Sequence, residues 1–411
     1  MDINQADTVW ILISSALVML MTPGVALFYG GMVRRKNLLS TMMLSFACLG
    51  LVGLLWVLYG YSLSFGTDYG GVIGGFNYLG LNYVGQDPSP IYASTVPHLG
   101  FMIFQAMFAI ITVALFTGAI VERIKFSSIC IFSALWLTLV YCPVTHWVWG
   151  SGGWLAKLGV LDFAGGSVVH INAGVSALAL VLLLGRRRGF PQDSMAPNNI
   201  PLVVLGAGLL WFGWFGFNAG SALTASGLAT SAFVSTNTAA AAAAFTWMAI
   251  SWMYRRPTIL GTVTGAVAGL ATVTPAAGYI TPLAAIPIGI VASIVCYYMM
   301  SFFKNKLGFD DSLDVFAVHG VGGILGMLFV GVFATLSVNP AGADGLFYGN
   351  AMQIVKQLIG IVTVAAYAFA LTWGLGKLVD KTIGLRVSPA EESVGLDLSQ
   401  HGERAYGGLL R

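Results

Sequence analysis

Two stretches of this chain share one pattern: Asp162-Phe-Ala-Gly-Gly-Ser-Val-Val-His170-Ile-Asn-Ala-Gly174 and Asp311-Ser-Leu-Asp-Val-Phe-Ala-Val-His319-Gly-Val-Gly-Gly323. In each, histidine follows the aspartate after eight residues and glycine follows it after twelve, and a valine precedes the histidine. The distribution of basic residues along the chain places the two aspartates at the starts of spans that enter the membrane from opposite sides, Asp162 from outside and Asp311 from inside. Repeats whose helices cross the membrane in opposite directions are typical of membrane transport folds. The pair therefore predicts two inverted halves that each contribute one histidine.

The composition indicates a membrane protein. The chain has 411 residues, of which 57% are hydrophobic and only 9% are charged. A soluble domain carries roughly 25% charged residues, because its surface must be hydrated. This deficit excludes a soluble enzyme, a disordered protein and a nucleic-acid-binding protein, and it predicts a chain that crosses the membrane several times.

The apolar stretches predict eleven transmembrane helices, because a helix needs about 20 apolar residues to cross the hydrocarbon core. They lie at about 9–32, 39–65, 98–121, 127–148, 167–185, 200–218, 229–254, 257–274, 279–303, 314–336 and 353–379.

The basic residues give the orientation. Seventeen of the 19 lysines and arginines, Arg411 among them, fall on the side that follows each odd-numbered span, and only Lys157 and Lys356 fall on the other. Basic residues mark the cytoplasmic side, so we expect the N-terminus outside and the C-terminus inside. The predicted fold is an all-α integral membrane protein. A transmembrane domain at 1–380 contains two inverted five-helix repeats (about 9–186 and 200–336) and a final helix (about 353–379), and a cytoplasmic tail follows at 381–411.

The two histidines are the leading candidates for a site. Eight residues of helical rise would place each about 12 Å from its helix start, and helices entering from opposite faces would then bring both near the midplane. Ionisable groups at that depth usually face a conduction path; the alternative is two unrelated buried histidines. Two histidines alone do not complete a metal shell, so we expect no metal. Asp162 and Asp311 are expected to cap helix N-termini, and an electrostatic effect of Asp162 on a passing cation stays open.

Six motifs in order along the chain resemble those of the Amt/Mep ammonium transporters, within the Amt/Mep/Rh superfamily. They are Phe28–Asn37, Gly118–Phe126, Asp162–Asn172, Trp214–Ser221, Asp310–His319 and Gly395–Tyr406. The last motif and the segment around Trp149 resemble the Amt/Mep branch more than the Rhesus proteins.

The resemblance implies an outer site that recruits ammonium, formed by Phe108, Trp149 and Ser221. Aromatic faces attract cations, and a hydroxyl can accept a hydrogen bond from ammonium. The resemblance also implies a gate of two stacked phenyl rings, Phe108 and Phe217, beneath that site. One local departure is Met107, where members commonly have threonine; it could alter hydration or packing of the pore.

Below the gate, the resemblance implies a narrow hydrophobic pore lined by His170 and His319. Imidazoles can bind ammonia or a proton in transit at lower cost than a carboxylate in hydrocarbon. Three further residues match positions near this path: Gln105, Thr274 and Phe28.

The resemblance implies an ammonium transporter of the plasma membrane, not an enzyme and without a cofactor. The activity that the resemblance implies is to deprotonate ammonium and to conduct ammonia together with a proton. Expected partners are membrane lipid, two further copies in a homotrimer and a PII-type signal protein on the cytoplasmic face. Two alternatives stay open, an electroneutral ammonia channel and an ammonium sensor that signals through its tail. A membrane enzyme would need a nucleophile or metal at the midplane, and the sequence offers none.

Overall fold

The computed structural model describes residues 2–407, so Arg411 and its charge lie outside the described part of the chain. The protein is mostly helical, and several helices include a π-helical turn, which is written as a separate range. The helices are α1 (Gln5–Met32), α2 (Leu38–Leu55, Trp56–Gly60 and Tyr61–Phe65), α3 (His98–Thr117), α4 (Phe126–Trp136, Leu137–Tyr141 and Cys142–Trp149), α5 (Trp154–Leu158), α6 (Gly166–Ile171 and Asn172–Leu184), α7 (Ile200–Trp214 and Phe215–Ala219), α8 (Gly227–Tyr254), α9 (Ile259–Val273), α10 (Ala285–Ser301 and Phe302–Lys306), α11 (Phe316–Val321 and Gly322–Phe333), α12 (Met352–Ile383), α13 (Pro389–Val394) and α14 (Leu396–His401).

Each predicted apolar stretch overlaps one of these helices. Within residues 2–407, nine helical stretches are long and apolar enough to cross a membrane. Two of the predicted spans fall outside that group for simple reasons. The 28-residue α8 mixes serine, threonine and asparagine with its alanines, and α9 is apolar but has only 15 residues.

Two short antiparallel hairpins occupy the segment between α2 and α3. Strand β1 (Asp68–Tyr69) pairs with β2 (Ile73–Gly74), and β3 (Pro88–Ser89) pairs with β4 (Ala93–Pro97). The first hairpin lies against α4: the Trp147 indole N–H donates to the carbonyl of Val72 at 2.8 Å. This segment therefore covers one end of the helical bundle.

The glycine of each repeated motif lies where α6 and α11 touch. A Cβ at Gly174 would collide with the backbone of Gly320, and one at Gly323 would lie 3.0 Å from the Cβ of His170. Small residues let membrane helices approach this closely. The shared glycine is therefore explained by the crossing of the two helices that carry the histidines.

The prediction of a 12 Å helical rise to each histidine is wrong. Helix α6 begins at Gly166 and α11 at Phe316, so the histidines lie in the first turn of their helices. The chain between aspartate and helix is not helical, because Gly165 and Asp314 have φ of +114° and +60°. These two residues are equivalent in the repeat. An aspartate at position 314 does not by itself predict this break in the helix, since only glycine adopts such a backbone freely.

The two repeated aspartates both cap their helices, but unequally. The Asp162 carboxylate accepts from the backbone N–H groups of Gly165, Gly166, Ser167 and Val168 at 2.7–3.3 Å, and also from the Ser167 hydroxyl. Asp311 accepts from the N–H of Phe316 at 2.8 Å with one oxygen, and its other oxygen is buried without a partner. The two caps thus occupy equivalent positions in the repeated motifs but accept different numbers of hydrogen bonds.

A buried network of charges joins the ends of α1, α3 and α6 to the segment before α11. Arg187 contacts Asp310 at 2.7 Å and Glu122 at 2.9 Å, and Arg34 contacts Glu122 at 3.0 Å. Burial alone would raise the pKa of Glu122, but the guanidinium groups of Arg187 and Arg34 outweigh it and hold that pKa below its ordinary value. The same balance, with Arg187 as the main partner, lowers the pKa of Asp310.

The C-terminal segment packs against the α1–α2 connection. The Lys36 ammonium donates to the carbonyl of Glu392 at 2.9 Å, and the backbone N–H of Ser40 donates to the Asp397 carboxylate at 2.7 Å. Arg386 forms an ion pair with the Glu392 side chain at 2.8 Å. The tail up to Gly407 is therefore an ordered part of the fold.

Removing one charge from the buried network should be costly. We expect Glu122→Gln to lose about 3–5 kcal/mol of stability, because Arg187 and Arg34 keep their charges and lose the carboxylate that they share. A carboxylate whose pKa is lowered by folding stabilises the protein above its unfolded pKa of about 4.3 and loses this effect as pH falls through the folded value. The midpoint of thermal unfolding should thus fall on acidification in the wild type, and less in Glu122→Gln. Exposed Glu403→Gln is the control; equal midpoints at pH 7 for wild type and Glu122→Gln would contradict the expectation.

The unequal caps predict unequal sensitivity to amidation. In Asp162→Asn, either orientation of the amide turns an NH2 group toward N–H donors, so we expect a loss of about 1–3 kcal/mol. In Asp311→Asn the amide nitrogen can take the unpartnered side, so the hydrogen bond from Phe316 is kept and the loss should be smaller than in Asp162→Asn. Thermal unfolding of the two purified variants, each compared with the wild type, measures this difference. A larger loss in Asp311→Asn would refute it.

Candidate functional site

The two repeated histidines meet in the interior of the bundle. Their Nδ1 atoms lie 3.2 Å apart, and the rings are nearly parallel, at 17° with centroids 5.2 Å apart. His170 is 1% exposed and His319 is 4% exposed. A hydrogen bond between two Nδ1 atoms needs one donor and one acceptor, so the rings must adopt complementary proton positions. The Nε2 atom of His170 has no partner in the protein.

A small apolar cavity adjoins this pair. Its volume is about 20 Å³, which is room for about one molecule the size of water. Apart from the histidines, its lining is hydrophobic or aromatic: Met21, Val25, Phe28, Tyr29, Ile111, Leu115, Leu210, Trp214, Phe217 and Val267. A second cavity of about 560 Å³ reaches His319 and Phe28 from the side of Lys304 and Asp314. The small cavity and the larger one therefore lie next to each other, with Phe28 and His319 in the lining of both.

A series of aromatic rings continues from the histidines in the other direction. The Phe217 ring lies 6.1 Å from that of His170 and 4.3 Å from that of Phe108, and the Phe108 ring meets Trp149 edge-on at 5.7 Å. Both phenylalanines are 1% exposed. The two phenyl rings are therefore buried in contact with each other between Trp149 and His170.

Trp149 and Ser221 are half-buried, and each contacts one of the two phenylalanines. The Trp149 indole N–H donates to the backbone carbonyl of Asp162 at 2.9 Å, which ties the tryptophan to the cap of α6. The Ser221 hydroxyl donates to the carbonyl of Phe217 at 2.8 Å. Since its proton is used in this bond, the lone pairs of the Ser221 oxygen remain free to accept. The Asp162 carboxylate, in contrast, is occupied by its five donors.

The three weaker candidates have different surroundings. Phe28 lines both cavities. Thr274 is buried outside the cavity lining, where its hydroxyl oxygen accepts from the Trp214 indole at 2.8 Å. Gln105 is 9% exposed, and its side-chain oxygen has no partner. Met107 is half-buried and packs against the hydrophobic core.

Sequence reasoning missed Trp214. Its ring lies 5.6 Å from that of His170 and is tilted by only 23°, so it flanks the histidine together with Phe217. The signal was available, because Trp214 precedes Phe217 by three residues and side chains at this spacing share one face of a helix.

Comparisons with known proteins agree with this geometry. Residues 9–406 match the model of the Ammonium Transporter Family. The chain is 54% identical over 404 residues to "Ammonium transporter Amt1" of Archaeoglobus fulgidus, covering 98% of this chain and 100% of the relative. It resembles the crystal structure of Saccharomyces cerevisiae Mep2 with a TM-score of 0.91 and 36% identity, over 99% of this chain and 93% of that one.

A solved structure titled "Sensor Amt Protein" is also similar, with a TM-score of 0.88 and 30% identity over 96% of this chain and 98% of that chain. The family match and the identity to the archaeal transporter both extend over nearly the whole chain. This multi-span membrane protein therefore belongs to the ammonium transporter family.

Proposed function

We propose that the protein recruits ammonium at an outer vestibule, deprotonates it and conducts ammonia together with a proton through the pore lined by His170 and His319. The observation that carries this proposal is the cavity of about 20 Å³ beside a hydrogen-bonded histidine pair, with two buried phenyl rings in contact with each other beyond it. A passage this small and apolar fits ammonia and disfavours hydrated ions.

Recruitment uses the groups beyond the phenyl gate. Ammonium is attracted to the faces of Trp149 and Phe108, by up to about 2 kcal/mol when desolvated. The Ser221 oxygen accepts one of its hydrogen bonds, because the hydroxyl proton is already donated to Phe217. Potassium has a similar charge but no N–H to donate, so this acceptor favours ammonium.

Deprotonation follows from desolvation at the gate. A cation that leaves water for an apolar passage loses several kcal/mol of hydration, whereas neutral ammonia loses far less. Burial therefore favours the uncharged form. Because Phe108 and Phe217 are almost fully buried, the N–H bond of ammonium breaks on the vestibule side of the gate, where water accepts the proton. Ammonia then enters the passage, and the proton crosses separately by way of the hydrogen-bonded histidines.

The histidine pair offers both hydrogen-bonding roles. The ring that donates from Nδ1 has a bare Nε2 that accepts, and its partner, which accepts at Nδ1, carries a proton on Nε2. Ammonia can donate to the first and accept from the second. The 3.2 Å bond between the rings also allows a proton to pass from one ring to the other.

The proposed architecture has eleven spans, α1–α4 and α6–α12, with the N-terminus outside and the C-terminus inside. Residues 1–380 form the transmembrane transport domain, with halves at about 9–186 and 200–336 and the extra helix at about 353–379. The matched positive φ values at Gly165 and Asp314 support the repeat. Residues 381–411 form a cytoplasmic regulatory tail, supported by the contacts of α13 and α14 with the α1–α2 connection.

We further propose a plasma-membrane homotrimer that is a transporter rather than an enzyme. Asp162 has a structural role as the cap that also holds Trp149, while Gln105, Thr274 and Phe28 are secondary residues of the path. A PII-type signal protein is the proposed cytoplasmic partner; it would contact the tail. The alternatives are an electroneutral ammonia channel and a sensor, the latter favoured by the similarity to the sensor structure.

An electrical measurement separates these possibilities. In proteoliposomes containing the purified protein, an ammonium pulse should evoke a current that saturates with ammonium concentration, because a proton crosses with ammonia. Uptake without current would identify an electroneutral channel. Ammonium binding with neither uptake nor current would identify a sensor and contradict the transport proposal.

The histidines should matter for proton movement more than for folding. We expect His170→Ala and His319→Ala each to reduce ammonium-evoked current by about 100-fold or more, the lower end of effects from removing a group that transfers protons. Thermal unfolding should confirm that the variants are folded, and potassium competition should report selectivity. Trp252→Ala, at a tryptophan 65% exposed on α8, is the control. Wild-type current and selectivity in both histidine variants would remove the pair from the mechanism.

A further inference from the structure

A third buried histidine lies one helical turn before Trp149. The side chain of His146 is 0% exposed, and both ring nitrogens have close partners. Nδ1 lies 2.8 Å from the backbone carbonyl oxygen of Ser64, and Nε2 lies 3.0 Å from Oδ1 of Asp68 on β1. Nothing in the proposed transport path uses this pair.

The partners of His146 fix the protons on its ring. A carbonyl oxygen can only accept, so Nδ1 donates to Ser64. The Asp68 Oδ1 atom also accepts from the backbone N–H of Gly71 at 2.6 Å, and the hydrogen bond with His146 is the main influence that lowers the pKa of Asp68. Two bare acceptor atoms would repel each other at 3.0 Å, so a proton lies between Nε2 and Oδ1 and holds Asp68 against the ring.

The glycine-rich turn after Trp149 is folded around this pair. A Cβ at Gly150 would collide with Nδ1 of His146, and one at Gly153 would collide with the His146 backbone carbonyl. Gly152 has φ of +95°, and a Cβ there would lie 2.6 Å from the Asp68 carboxyl carbon. These contacts account for three glycines of the segment Trp149-Gly-Ser-Gly-Gly153, which sequence reasoning left unexplained.

We propose that Asp68 and His146 form a positioning pair that holds Trp149 in the orientation that recruits ammonium. The proposal rests on the recruitment role that the proposed function assigns to Trp149. Trp149 is the last residue of its α4 segment, so the direction of the chain at its carboxyl side depends on the turn. The indole itself has one hydrogen bond, to Asp162, and an edge contact with Phe108.

Two variants disturb the pair in different ways. Asp68→Ala removes the carboxylate from a side chain that is 24% exposed, so the change need not prevent folding. Gly152→Ala pushes the carboxylate away and strains the turn. Gly349→Ala is the matched control for strain, because Gly349 has φ of +92° and open space around its Cβ position. Lys157→Met is the control for charge, because the exposed Lys157 lies 3.5 Å from Asp68 Oδ2.

The measurement is ammonium-evoked current in proteoliposomes as a function of ammonium concentration. We expect Asp68→Ala and Gly152→Ala to raise the half-saturating concentration roughly three- to tenfold, equivalent to about 1 kcal/mol of lost cation attraction. Maximal current per folded protein should stay within about twofold, because the pore and its histidines are untouched, and both controls should match the wild type. A merely structural role would instead lower the amount of active protein without moving half-saturation.

The outcomes separate this inference from the proposed function. Wild-type current with unchanged half-saturation in both Asp68→Ala and Gly152→Ala overturns the positioning role alone. A fall in half-saturation in Lys157→Met that matches the rise in Asp68→Ala overturns it too, in favour of surface charge, because the two variants remove charges of opposite sign. Absence of current in the wild type contradicts the transport function, and with it the recruitment role of Trp149.

A second readout needs no transport. With ¹⁵N-labelled histidine in the full chain, which has 5 histidines, the signals lost in His146→Gln identify His146. We expect the same His146 shifts in the wild type and in Gly349→Ala. In Asp68→Ala the Nε2 signal should move, because this nitrogen loses its hydrogen-bond partner. An unchanged Nε2 shift in Asp68→Ala would overturn the pairing.

Discussion

The hydrogen bond between His170 and His319 depends on how closely two helices approach. Their Nδ1 atoms reach 3.2 Å because α6 and α11 cross at Gly174 and Gly320, where a Cβ would not fit. Both histidines lie in π-helical turns at the start of their helices. Such turns are rare and occur frequently at functional sites. The crossing brings the rings together, and the apolar lining around them keeps the bond free of competing water.

The two halves of the repeat share a backbone but differ in their polar bonding. Five donors satisfy Asp162, whereas one oxygen of Asp311 has no partner. Burial and the nearby Asp314 raise the pKa of Asp311 to about 6. The two repeated motifs therefore match in backbone conformation at Gly165 and Asp314 and differ in how their aspartates are bonded.

Sequence reasoning was strongest where one physical rule acts on many residues. Apolar length located the helices, and the spacing of aspartate, histidine and glycine identified the repeat. The predicted helix starts were wrong because Asp314 adopts a left-handed backbone conformation that its residue type does not predict. Sequence reasoning also missed His146, because its partner Asp68 lies 78 residues away in sequence and reaches it through a hairpin too short to leave a pattern. Contacts of this kind depend on tertiary packing rather than on local propensity.

The placement of the few buried charges explains how the protein can take up a cation although the passage itself contains no fixed charge. Among the described residues, the buried pairs of ionisable side chains lie at the ends of the helices: Glu122 with Arg187 at one end, and Asp68 with His146 at the other. Each pair binds segments that are distant in sequence, so its electrostatic energy orders the ends of the bundle. A charge beside the passage would bind ammonium tightly or repel it. Since the helix ends supply the rigidity, the middle can consist of aromatic rings and two imidazoles without a carboxylate, lysine or arginine among them.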